Sequence, residues 1–332
     1  MHLAESLELP APYAARPYRG REDHPAMAGI LDAHRQYMGD PEMPTAEDMD
    51  VTYAHLTDCD VDLDICVIGV DGRPVAYSRA SREDLDDGWR DCVIFSPTQP
   101  DHIEEPLFTA LVEGQERHVR KWADTDKVRF RAYAPHPGPN LPATRDAAWL
   151  EALGYRATEW GASLVRPHLD DIPERRLPDG VEVRPVAHED LRTIWDAEWE
   201  AFRGEWDSRE MTDDDFLEFI GSPHHDPSMW KVAWAGDTVV GQVKSYINRD
   251  ENEARGYLRG YTEYISTHHD WRNRGIAGAL LAMSLGELKD RGMTEAALGV
   301  DTNNPGGAFQ LYTGLGFELR AYEAVYTKPI SG

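Results

Sequence analysis

The chain of 332 residues carries 60 acidic and 34 basic side chains, a formal net charge of −26. That balance excludes a nucleic-acid partner, because binding a phosphate backbone needs a basic face and no basic run is present. An acidic surface suits attraction of a cationic small molecule such as an amine.

The length predicts two domains, each large enough to bury its own core. Cys59, Cys66 and Cys92 are the only cysteines and form no C-x-x-C pair, so neither a disulfide framework nor a metal site is expected. Residues 1–12 lack the basic and apolar stretches of an export signal, and no run approaches the apolar length of a membrane span. The expectation is a cytoplasmic protein with no membrane partner, as a monomer or homodimer.

In chain order, residues 13–18 read as a strand, 25–37 as a helix, and 63–70 with 74–79 as a hairpin turning on Asp71-Gly72. Strand, helix and strand follow at 90–95, 106–122 and 128–133. A short helix at 145–153 and an extended stretch at 158–165 end the first half. Residues 168–180 are rich in proline and charge and read as a linker.

The second half repeats this order. Residues 181–185 read as a strand and 188–202 as a helix, with Leu191, Ile194, Trp195, Trp199 and Phe202 at helical spacing. A second helix starts near Thr212, which can cap it, and Asp213, Asp214 and Asp215 suit its positive end. A hairpin spans 230–234 and 238–247, a strand covers 261–266, and a long helix runs over 275–291. Strand, helix and extended stretch close the chain at 295–300, 307–314 and 317–326. Leu153-Gly154-Tyr155 and Leu315-Gly316-Phe317 end the two halves alike, which points to internal duplication. The expected domains are 1–167 and 181–332, joined by 168–180.

The chemistry concentrates at 263–281, a strand, a polar turn and a glycine-containing helix start flanked by arginines. Unpaired N–H groups and partial positive charge at a helix N-terminus suit a phosphate. Gly275, Ala277 and Gly278 keep that approach free of bulk, and Arg272 and Arg274 add charge. The segment Arg272-Asn273-Arg274-Gly275-Ile276-Ala277 resembles the coenzyme A-binding motif of the GNAT acetyltransferase superfamily, Arg/Gln-x-x-Gly-x-Gly/Ala. The stretch from Asn304 through Leu311-Tyr312 to Leu315-Gly316-Phe317 resembles a second motif of that superfamily.

The resemblance implies an α/β fold, two tandem GNAT units, each a mixed, mostly antiparallel sheet flanked by helices. It implies acetyl-CoA as cosubstrate and direct transfer of the acetyl group to a primary amine of a small molecule. Tyr264, Ile265, Ser266 and Thr267 would hold the pantetheine arm, Asn273, Ile276 and the loop around them the pyrophosphate, and Asn304 the arm again. Glu263 would be the general base and Tyr312 the acid that protonates the departing thiolate.

The acidic residues of the stretch 202–215, among them Glu205, Asp207 and Glu210, would suit a cationic acceptor. His224-His225 and His268-His269 read as loop histidines, and His268 could assist proton transfer. The first half has Glu104 and Glu105 where the phosphate loop would be and Leu150 in place of Tyr312, so it is expected to keep the fold without the catalytic role. Acceptors compatible with this reading include amino sugars and a sugar-linked cysteinyl amine; the rival reading is a regulatory module that binds coenzyme A without turnover.

Overall fold

A computed structural model describes residues 1–40, 42–136, 138, 143–204, 208–302 and 307–330. In chain order the elements are α1 (Leu3–Ser6), β1 (Ala14–Pro17), α2 (His24–Met38), α3 (Ala46–Ala54), β2 (Ile65–Val70), β3 (Arg73–Asp84), β4 (Arg90–Phe95), α4 (Glu105–Val119), β5 (Val128–His136), α5 (Arg145–Ala152) and β6 (Arg156–Arg166). There follow β7 (Glu182–Arg184), α6 (Leu191–Phe202), α7 (Asp213–Gly221), β8 (Lys231–Ala235), β9 (Thr238–Tyr246), α8 (Arg249–Arg255), β10 (Arg259–Thr267), α9 (Ile276–Asp290), β11 (Glu295–Asp301), α10 (Ala308–Gly314) and β12 (Glu318–Pro329). No helix among the described residues is long and apolar enough to cross a membrane.

The chain divides into two compact units, Met1–Gly161 with Ala321–Gly332, and Ala162–Arg320. The last strand therefore sits with the first unit, where the chain-order reading placed it with the second half. The first boundary falls at 161/162, inside β6, ahead of the proline-rich stretch 168–180.

In the first unit the strand order is β1-β2-β3-β4-β5-β12. Its hairpin turns where expected, with Asp71 and Gly72 at φ +49° and +79°, the left-handed pair that a tight two-residue turn requires. β12 pairs antiparallel to β5 from Tyr322 opposite His136 to Pro329 opposite Arg129. Its Ala324 and Tyr326 are fully buried in a core with Phe130, Leu107, Leu150 and Tyr155.

The second unit orders its strands β11-β10-β9-β8-β7, with α9 against β8, β9 and β10. The close approach of α9 needs small residues beneath it. A Cβ on Gly241 would lie 2.7 Å from Ile276 Cγ2, and one on Gly260 would lie 2.3 Å from Leu288 Cδ2.

The repeated Leu-Gly-aromatic motif has one geometry in both units. Gly154 and Gly316 adopt φ +91° and +85° after α5 and α10. The next N–H then turns back: Tyr155 N donates to Leu150 O at 3.0 Å, and Phe317 N to Tyr312 O at 3.1 Å. This closure of a helix by a left-handed glycine satisfies carbonyls that the helix end leaves open. It also makes Leu150 and Tyr312 equivalent positions.

Three helices, α1, α3 and α8, were absent from the chain-order reading. α3 and α8 begin with side-chain caps, Thr45 accepting from Asp48 N and Asn248 from Glu251 N.

Candidate active site

β10 and β11 run parallel and pair over only three residues, Arg259–Tyr261 with Glu295–Ala297. Beyond that point their ladder ends. On its other edge β10 shifts register against β9 between Glu263 and Ser266, and Tyr264 takes φ +51°. Such a bulge takes backbone groups out of the ladder and re-aims the side chains around it. Tyr264 is accordingly 43% exposed, and Ile265 lies within the shifted segment. Ser266 and Thr267 rejoin the ladder opposite Gln242 and Gly241.

Glu263 occupies the opening between the two strands. Its Oε1 accepts the Gly299 N–H of β11 at 3.0 Å, a bond that favours the ionised carboxylate.

The strand runs directly into the arginine loop. Asn273 and Gly275 take φ +60° and +81°, so the chain makes two left-handed steps before α9. Gly275 is the N-cap of α9, and no side chain among the described residues caps that end. Ala279 N is the first to bond back, to Gly275 O at 3.1 Å, so the N–H groups of Ile276, Ala277 and Gly278 form the open end of the helix. An uncapped helix start that follows a left-handed glycine fits an anion such as a diphosphate.

Both loop arginines also have structural partners. Arg272 Nη2 donates to Ala201 O at 2.6 Å and Nε to Thr267 O at 3.3 Å, tying the loop to the end of α6 and to β10. Arg274 bonds Asp270 O at 3.0 Å and lies over the Trp271 ring at 4.6 Å. Their shared effect is to fix the loop's path.

α10 lies beside this helix start, since a Cβ on Gly278 would be 3.4 Å from Leu311 Cδ1. Tyr312 is 5% exposed and stands edge-on to Phe317 at 6.3 Å. Arg166 donates to Leu315 O just after α10, and a Cβ on Gly316 would lie 2.5 Å from Arg166 Nη1, so a larger residue there would displace that guanidinium. Asn304 lies outside the described residues.

Residues that the sequence reading did not single out build the other wall. Lys244 of β9, opposite Glu263 in the ladder, is buried and ion-paired with Glu198 of α6, which is fully buried. Its Nζ lies 4.3 Å from the Phe219 ring centre, 5.2 Å from Trp230, 5.3 Å from Tyr264 and 5.5 Å from Trp195. Burial pushes the Lys244 pKa down and the Glu198 pKa up, each opposed by the partner's charge. Glu198 Oε1 finds no hydrogen-bond partner among the described residues.

α7 covers this cage, yet none of its residues is fully buried. Thr212 caps it as expected, and Asp215 returns a bond to complete a capping box. Asp213 and Asp215 pair with Arg192 and Arg209, which offsets part of the negative charge at this helix start. Glu205 and Asp207 lie outside the described residues. His225 packs on Phe219 and Trp230, and burial lowers its pKa. His268 and His269 stack at 4.3 Å, and with Asp270 they bring three ligand-type atoms within 4.8 Å.

Parallel strands that part after three pairs, a bulge at the parting and an open helix start on the loop that follows define a class of acyl-transferring domain. Residues 191–317 match the Acetyltransferase (GNAT) family and form a GNAT acetyltransferase domain; the chain is an acetyltransferase. Similar proteins include the mycothiol acetyltransferase of Clavibacter michiganensis subsp. michiganensis, 25% identical over 96% of this chain and 97% of that one. The mycothiol acetyltransferase of Geodermatophilus obscurus is 23% identical over 80% and 82%.

Among solved structures, a GCN5-related N-acetyltransferase from Sphaerobacter thermophilus superposes with a TM-score of 0.71 at 24% identity, covering 98% of both chains. A tandem GNAT protein of the clavulanic acid biosynthesis pathway gives 0.68 at 16% identity, covering 96% and 99%. The fold is that of tandem GNAT proteins.

Proposed function

We propose that the second unit transfers an acetyl group from acetyl-CoA directly to a primary amine of a small molecule. The observation that carries this reading is the sequence of features along one stretch of chain: Glu263 in the strand opening, the bulge at Tyr264, and the uncapped start of α9. The N–H groups of Ile276 to Gly278 would hold the pyrophosphate, with Asn273, Arg274 and Gly275 shaping the loop and Arg272 anchoring it. Asn304 would contact the arm. Backbone groups of 264–267 that lie beyond the end of the β11 ladder would hold the pantetheine arm and polarise the carbonyl.

Acetyl-CoA supplies an activated thioester carbonyl. Glu263 takes the proton that an ammonium must lose, directly or through water, so that the amine nitrogen can bond to the carbonyl carbon. As the carbon–sulfur bond breaks, the Tyr312 hydroxyl gives its proton to the leaving sulfur. The first unit has other groups at these positions and would support the active one: the N-cap Glu104 and the first residues of α4, Glu105 and Pro106, place negative charge at the helix start and remove one of its donors.

The acceptor pocket would be the aromatic wall around Lys244. Because Lys244 already fills the cation position there, the acceptor would offer an apolar or ring-bearing part to the cage. That favours a sugar-linked amine over a simple polyamine. A mycothiol acetyltransferase activity, with a sugar-linked cysteinyl amine as acceptor, is the specific version, supported by relatives of that name that align over nearly the whole chain.

Release of free thiol from acetyl-CoA across a panel of amines tests the reading. A sugar-linked cysteinyl amine should be among the best acceptors, and Tyr312→Phe should lower kcat. Saturable coenzyme A binding without amine-dependent thiol release would favour a regulatory binding module. Unchanged turnover in Tyr312→Phe would remove its role as acid.

A further inference from the structure

The first unit also parts its parallel strands. β4 and β5 pair from Arg90 with Val128 to Val93 with Arg131, and no further. The gap is a cavity of about 270 Å³ walled by Ile94 and Phe95 of β4, Ala132 of β5, Leu107 and Leu111 of α4, and Leu150 of α5. Leu150 is the position that carries Tyr312 in the second unit, so the hydroxyl there is replaced by an aliphatic wall.

The features that suit a nucleotide diphosphate are missing at its mouth. α4 starts at Glu105 with Glu104 as N-cap and Pro106 in its first turn, so carboxylates and a residue without an N–H stand where the second unit has Gly275 to Gly278. An acidic helix start repels a diphosphate.

One polar group in the cavity wall is uncommitted. Glu323 of β12 lines it, and among the described residues its carboxyl has no hydrogen bond or ion pair. The cations nearest in charge effect are taken elsewhere: Arg35 pairs with Asp40 and Glu42, and Arg131 with Glu83 and Asp91.

We propose that this cavity is a second ligand site, for a small molecule with an apolar body and a protonated amine head that pairs with Glu323. An apolar cavity of about 150 Å³ takes up benzene, so this one accommodates an aromatic ring with a short chain. A carboxyl left alone at an apolar wall favours a partner that brings positive charge and hydrogen-bond donors. Burial, with the Asp40 charge adding to it and Arg35 and Arg131 opposing, holds the Glu323 pKa up at about 7. Amine binding should then tighten as pH rises from 6 to 8, because the incoming cation pairs with the ionised form. Asp40, Arg35 and Arg131 keep their charge across that range, and burial holds the pKa of His34, also in the wall, below the ordinary imidazole value; His102 and Asp146 are the other titratable groups of the wall. The Glu323→Gln variant separates their titration from that of Glu323.

The test is calorimetric titration of the full chain with phenylethylamine, 3-phenylpropanoate and ethylbenzene, with no acetyl-CoA or acceptor present. The amine is expected to bind best, with the affinity rising between pH 6 and 8. Glu323→Gln should weaken it about tenfold or more, a charged hydrogen bond's usual share, and remove most of the pH dependence. Leu111→Phe, which fills the cavity, should abolish binding while acetyl-transfer activity persists. The proposal is overturned if the carboxylate or the hydrocarbon binds as well as the amine. It is equally overturned if none of the three binds at millimolar concentration, or if both variants bind phenylethylamine as the parent does. Because the readout is binding in the first unit, failure here leaves the acetyl-transfer reading untouched, and failure of that reading leaves this one standing.

Discussion

Removing the Glu263 carboxylate while keeping its shape distinguishes a base from an ordinary strand glutamate. Glu263→Gln should retain a bond to Gly299 N through its amide oxygen. It should therefore leave coenzyme A affinity near that of the parent while lowering kcat by about 10²- to 10⁴-fold, the usual contribution of a positioned base. The acidic limb of the kcat/KM profile should vanish with it. A parallel fall in affinity would mark a structural role instead. Gly275 and Gly316 were legible as special residues because only a few conformations need glycine, and both occur here with positive φ. Lys244 was not legible, since a lone lysine between valine and serine in a strand carries no local sign of a cage assembled from α6, α7 and β10.

A second residue-scale expectation concerns acid stability. Asp64 is 2% exposed and bonds His118 Nε2 and Lys121 Nζ, both at 2.6 Å. Burial alone would raise its pKa, but these two bonds and the Asp60 N–H outweigh it, and the pKa falls to about 2. The folded value lies below the unfolded carboxylate value of about 3.9. The stabilisation is then complete above that value and is lost as pH falls from about 4 through 2. Asp64→Asn should cost about 1–3 kcal/mol in urea denaturation at pH 7, and its stability should change less than the parent's between pH 4 and 2. An unchanged acid limb would show that other carboxylates control it.

At the scale of elements, the Glu198–Lys244 pair joins α6 to β9 inside the aromatic wall. Breaking one side of a buried pair strands the other charge, at about 3–5 kcal/mol, whereas replacing both with apolar side chains of similar size is often neutral. Glu198→Leu and Lys244→Met should each destabilise strongly, and the double variant should recover much of the loss in a denaturant cycle. If the double variant is as unstable as the sum of the singles, the two residues act independently. The long periodic elements, α2, α6 and α9, were readable from their spacing, as was the hairpin at Asp71-Gly72. α8 was missed because its sequence is almost entirely polar, and α3 because its apolar residues form no clear stripe and only Met49 and Tyr53 are buried; each is identified by its cap.

For the whole molecule, the repeated order of elements was visible along the chain, but the place of β12 was not. Its alternating apolar pattern predicts a strand without naming the partner, because pairing depends on which edge is open after the rest has folded. Ala321–Gly332 joins the first unit, and eight positions from Tyr322 to Pro329 face β5 in register. Ending the chain after Arg320 should therefore damage the unit farthest from the cut in sequence. It would strip β5 of one neighbour and remove the fully buried Ala324 and Tyr326 from the core around Phe130 and Tyr155. Burial of a single large side chain is worth about 1.5–3 kcal/mol, and the lost ladder adds to this, against a total stability of about 5–15 kcal/mol for a domain. Limited proteolysis of the truncated chain should cut first within residues 1–161, and a synthetic peptide of residues 321–332 should restore protection by adding back as a strand. Cleavage confined to residues 162–320, or a truncated chain that melts as the parent does, would mean that β12 contributes little to the first unit.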